Sequence, residues 1–113
     1  MALAIAVALF FYPTVLQSNK GGINLKNFVI SYDLIGPNRD YDNLYNAIKD
    51  YGSYARVTES FWIVNTNSTS SSIRDNLKSI LDENDKLIVL ELQGNWATSN
   101  ISKEVNDWLK SNV

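Results

Sequence analysis

Apolar positions along this chain fall into two kinds of pattern, near-continuous short runs and three- or four-residue stripes, and these predict an alternating order of strands and helices. In Lys26–Asp33 (KNFVISYD), Phe28, Ile30 and Tyr32 alternate with Val29, Ser31 and Asp33. Apolar residues occur in both sets, so the segment predicts a strand at the centre of a sheet or covered on both faces. Ile35-Gly36-Pro37-Asn38 breaks it with turn residues. Asp40 can cap a helix start, and Leu44, Ala47, Ile48 and Tyr51 then form one stripe, closed by Gly52 as a C-terminal cap. Tyr54–Val57 and Phe61–Asn65 predict two short strands joined through Thr58-Glu59-Ser60 as a hairpin. The polar stretch Asn65–Ser72 (NTNSTSSS) predicts a loop leading to a helix cap. Ile73, Leu77, Ile80 and Leu81 then stripe a second helix. Glu83-Asn84-Asp85 turns the chain into a second rich apolar strand, Lys86–Leu92 (KLIVLEL). Ile101, Val105, Trp108 and Leu109 stripe a terminal helix.

The resulting order, β-α-β-β-α-β plus one helix, is that of the split βαβ arrangement. It predicts an α+β, ferredoxin-like βαββαβ domain over residues 25–113, with an antiparallel four-stranded sheet and an extra C-terminal helix. In that topology the last strand lies beside the first, at an edge. An apolar edge strand invites pairing with another chain. KLIVLEL therefore calls for a cover, either the terminal helix or a second subunit.

Residues 1–24 read differently. Met1–Leu16 (MALAIAVALFFYPTVL) is almost wholly apolar, and no charge precedes Lys20. The run is short for a membrane span and contains Pro13, and it lacks the positive start of a secretory signal. Two readings stay open. One is an apolar leader that associates with a membrane. The other is upstream DNA read in frame: the codons of Lys20-Gly21-Gly22 can spell AAAGGAGG, a bacterial ribosome-binding sequence, just ahead of a Leu25 codon that can be the alternative start TTG.

Composition narrows the chemistry. The 113 residues suit one domain, and the 45% hydrophobic content supplies a core. The chain has neither cysteine nor histidine. That removes disulfides, thiolate metal sites and the commonest general base. A bound metal would sit on carboxylates, carbonyls and water, which suits Mg²⁺, Mn²⁺ or Ca²⁺. The net charge of −2, without a basic block, is unlike a nucleic-acid binder. No phosphate-binding or dinucleotide glycine motif occurs. Among the carboxylates, Asp33 stands out because it ends an apolar strand. There it can hold a divalent ion or a water for phosphodiester hydrolysis, or cap the turn before Gly36-Pro37. The other acids have ordinary placements: Asp40 and Asp75 near helix starts, Asp82, Glu83 and Asp85 in a solvated turn, and Glu91 on a strand. Tyr54, Trp62 and Trp96 suit either core packing or base stacking.

Phe28-Val29-Ile30-Ser31-Tyr32-Asp33-Leu34, Thr58-Glu59-Ser60-Phe61-Trp62-Ile63-Val64, Ile73-Arg74-Asp75-Asn76-Leu77 and Asp85-Lys86-Leu87 resemble a family of short bacterial proteins labelled SinR-like. That family is similar to the small nuclease-like subunit of CRISPR adaptation and, more distantly, to VapD toxins. The resemblance spans about Lys26 to Val113. It implies a cytoplasmic homodimer in which Asp33 of each subunit faces its copy, binds Mg²⁺ as the catalytic carboxylate, and hydrolyses phosphodiester bonds of RNA or DNA. It equally admits a non-enzymatic dimeric scaffold that binds protein or nucleic acid, or a VapD-type ribonuclease toxin. A membrane enters only if residues 1–24 form a genuine leader.

Overall fold

A computed structural model describes residues 14–16, 25–37 and 41–113. Its strands are β1 (Val15–Leu16), β2 (Lys26–Asp33), β3 (Ser53–Thr58), β4 (Phe61–Thr66) and β5 (Lys86–Leu92). Its helices are α1 (Tyr41–Lys49), α2 (Ser70–Lys78) and α3 (Lys103–Asn112). The strands form one antiparallel sheet in the order β1-β3-β4-β2-β5. The class is α+β, as the patterning predicts.

The expectation of a four-stranded sheet is corrected: the sheet has five strands. Val15 and Leu16 pair antiparallel with Ala55 and Tyr54, and the Arg56 amide donates to the Thr14 carbonyl at 2.7 Å. The outer edge of β3 carries amides and carbonyls that need partners, and this short segment supplies them. The Trp108 indole N–H, from α3, donates to the Leu16 carbonyl at 3.2 Å and to the buried Ser53 hydroxyl at 3.1 Å. The boundary at residue 25 thus runs between β1 and β2. The rest of the apolar run, residues 1–13 and 17–24, lies outside the described residues, as does Asp40. Among the described residues no helix is long and apolar enough to cross a membrane.

Strand alternation divides the core in two. Phe28, Ile30 and Tyr32 of β2 and Trp62 and Val64 of β4 point to one face, where α1 and α2 pack Leu44, Ile48, Ile73 and Leu77 on them. Val29 of β2 and Ile63 of β4 point to the other face and meet Val105, Trp108 and Leu109 of α3. At about 25 cal/mol per Å² of apolar surface, burying each large side chain contributes roughly 1.5–3 kcal/mol. Both layers therefore matter to stability.

The element boundaries correct several expectations. Gly52 has φ +104°, the left-handed geometry of a helix-terminating glycine, as predicted after α1. α2 starts inside the polar stretch: the Thr69 hydroxyl accepts from the Ser72 amide at 3.1 Å. Asp75 is consequently in mid-helix, paired with Arg74 at 2.9 Å, and not at a helix start. The same helix ends at Lys78. Ile80 and Leu81 continue its apolar stripe through tighter turns, donating to the Leu77 and Lys78 carbonyls.

Asp85 is not a solvated turn residue. Its Oδ1 accepts from the Ile35 and Gly36 amides, both at 2.7 Å, and its Oδ2 from the Asp82 amide at 2.8 Å. One carboxylate thereby ties the end of β2 to the turn that starts β5. Gly36 is buried against the same turn. A methyl group there would lie 2.1 Å from Asp82 Oδ2 and 2.4 Å from its Cβ.

Candidate functional site

Asp33 is the last residue of β2, exposed, with Lys86 of β5 as its cross-strand neighbour. Ion pairs among the described residues include Arg74–Asp75 and Lys103–Asp107, and none joins Asp33 to Lys86. The antiparallel register places Val29, Ser31 and Asp33 on the α3 side of the sheet, together with Lys86, Ile88 and Leu90.

Two depressions flank Asp33. The larger, about 370 Å³, is bounded by Asp33, Tyr41, Tyr45, Glu59 and Ser60, with Tyr32 and Leu34 behind them. The smaller, about 220 Å³, lies towards Lys86 and Ile88. Glu59 is therefore the second carboxylate of the Asp33 cleft. Two carboxylates completed by water can hold Mg²⁺, which keeps several waters when bound. Among the described residues there is no cluster of three acids that could hold a metal ion.

The wall behind the cleft is tied together by hydrogen bonds and ring contacts. The Trp62 indole N–H donates to the Tyr32 hydroxyl at 3.0 Å, which donates to the Glu59 carbonyl at 3.1 Å. Arg56 donates to the same carbonyl from Nε at 3.2 Å and Nη2 at 2.8 Å. Its guanidinium stacks over the rings of Tyr45 (4.3 Å) and Trp62 (5.0 Å). Burial pushes the Tyr32 hydroxyl up to about 12, against the opposing hydrogen bond from Trp62. Tyr32 is thus a neutral hydrogen-bonding group near neutral pH, not a base. Tyr54 and Trp62 lie in the core with their rings packed together, and Trp96 is half-buried against the α3 layer.

The second notable surface is β5. Leu87 and Val89 pack beneath α2, and Leu92 joins the α3 layer. Ile88 and Leu90 face the α3 side but lie outside that layer, and remain 51% and 52% exposed. Among the described residues β5 is also an edge strand, with β2 on one side and no strand on the other. Of the two covers open to KLIVLEL in the sequence, α3 does not reach the middle of the strand. What sequence reasoning missed is non-local. Glu59 and Ser60 join Asp33 only through the β3–β4 turn, and the open half of the sheet follows from where α3 docks. No family model and no solved structure matches this chain.

Proposed function

We propose that this chain is a dimeric, non-enzymatic interaction module that works through the free edge of β5 and the open sheet surface beside it. The observation that carries this reading is the same-face pair Ile88 and Leu90, half-exposed on a strand that is, among the described residues, the edge of the sheet. Natural edge strands are kept from pairing by shortness, prolines, bulges or several charges. β5 has seven residues, no proline and an unbroken register with β2; its charges are Lys86 and Glu91. The order β3-β4-β2-β5 supports reading the domain as a ferredoxin-like core with β1 added at its far edge.

The test is Ile88→Glu, read by analytical ultracentrifugation. Burying the exposed half of one such side chain is worth about 1 kcal/mol, and a two-fold dimer loses it twice, so dissociation should rise at least about 30-fold. The thermal midpoint of the monomer should stay put, since the side chain is already half in water. An unchanged association state refutes the reading.

A second reading is favoured by the cleft that Asp33 shares with Glu59: a Mg²⁺-dependent endonuclease acting on RNA or DNA. Purified protein should then cleave either polymer with Mg²⁺ and lose that activity in Asp33→Ala. Cleavage that persists in the variant rules out this assignment.

A further inference from the structure

We infer that β5 pairs antiparallel with β5 of a second copy about a two-fold axis at Val89, joining the two sheets edge to edge into one. This rests on the proposed working surface and adds its occupant and register. In an antiparallel pair, residues directly opposite share a face of the sheet. A two-fold axis must therefore pass beside a residue, and Ile88, Val89 and Leu90 are the central choices. An axis at Val89 uses all seven residues of the strand, Lys86 against Leu92 through to Leu92 against Lys86. It sets Ile88 of each copy against Leu90 of the other, so the four half-exposed side chains cover one another. An axis at Ile88 shortens the ladder to five residues and sets Lys86 against Leu90. An axis at Leu90 shortens it equally and sets Ile88 against Leu92, so Ile88 and Leu90 no longer cover each other.

The flank of the edge is compatible with a second copy. The depression between α2 and the start of β5 carries Arg74 and Lys78 as well as Asp82 and Glu83. A two-fold copy meets both signs of charge there, not a field of one sign, and the chain's net charge is only −2.

The register has a consequence for Asp33. With about 3.4 Å rise per residue and about 4.8 Å between strands, the two Asp33 residues stand roughly 25 Å apart. This dimer cannot place both carboxylates on one metal ion. Each Asp33 cleft faces solvent by itself.

The chain has no native cysteine, so single cysteines report the register directly. In full-length protein at about 100 μM under mild oxidation, Val89→Cys should form a covalent dimer. A mixture of Ile88→Cys and Leu90→Cys chains should form the mixed dimer. Ile88→Cys alone should cross-link roughly tenfold less, because its Cα atoms stand about 8 Å apart, beyond disulfide reach. Ile88 and Leu90 are exposed enough for their variants to fold, and circular dichroism checks this for all three. If the protein dimerises but Ile88→Cys alone links as well as the mixture, or Asp33→Cys links instead, this register is wrong while a working β5 surface survives. If the protein stays monomeric at that concentration, the inference and the proposed surface fall together.

Discussion

Replacing Asp85 with alanine should destabilise the domain by about 3 kcal/mol, a large share of the 5–15 kcal/mol typical of a domain this size. The carboxylate accepts three backbone amides at 2.7–2.8 Å, from Ile35, Gly36 and Asp82. Hydrogen bonds to a charged group are worth roughly 1.5–3 kcal/mol net each. Asp85 is half-buried, and water can reach part of the site in the variant, so the three together come out nearer about 3 kcal/mol than the full sum. Asp85→Asn sharpens the test. An asparagine carbonyl can keep the Ile35 and Gly36 amides, but its NH₂ group then faces the Asp82 N–H, donor against donor. The expected cost is about 1–1.5 kcal/mol. Urea denaturation is the assay. With a slope of about 1.5 kcal/mol/M, Asp85→Ala should lower the midpoint by about 2 M with the slope unchanged. A loss below about 0.5 kcal/mol in Asp85→Ala, or an asparagine variant as damaged as the alanine one, would show that this carboxylate does not tie the two segments together.

Gly36→Ala should cost at least about 1–3 kcal/mol, because its methyl group overlaps the Asp82 Cβ as well as the carboxylate tip, and thermal denaturation reads this directly. Raising the pH should weaken the fold through Tyr32. The folded protein favours the neutral phenol, so its contribution is complete below pH 10 and fades as pH rises towards about 12. Denaturation midpoints between pH 9 and 12 should fall less steeply in Tyr32→Phe than in the natural chain, and parallel slopes would contradict the placement of that hydroxyl.

Much of the fold was legible because apolar stripes survive folding as buried faces. Leu44 and Ile48, Ile73 and Leu77, and Val105 with Trp108 and Leu109 are buried as their spacing predicts. β1 was not legible. Two residues within an almost wholly apolar run carry no period, and their strand character comes from the β3 edge they pair with. The start of α2 was hidden because Asn65–Ser72 consists entirely of residues able to cap a helix or form a turn. Only the structure selects Thr69. Asp85 looks like its neighbours Asp82 and Glu83 in sequence, yet two of its three partners lie about fifty residues away. At the candidate site, the strand-end position of Asp33 could be read from the pattern. Its companion Glu59 could not, since a register between β2 and β4 brings them together.

The division of the core into two layers gives this protein a pair of internal optical reporters. Trp62 is fully buried on the α1–α2 side and Trp108 fully buried on the α3 side, with the sheet between them. With Trp96 replaced by phenylalanine, and Trp62 or Trp108 removed in turn, the emission of each remaining indole follows one layer alone. β2 and β4 feed both layers from alternate residues, so neither side can loosen without disturbing strands that the other side needs. The two indoles should therefore change together, in a single transition at one denaturant concentration.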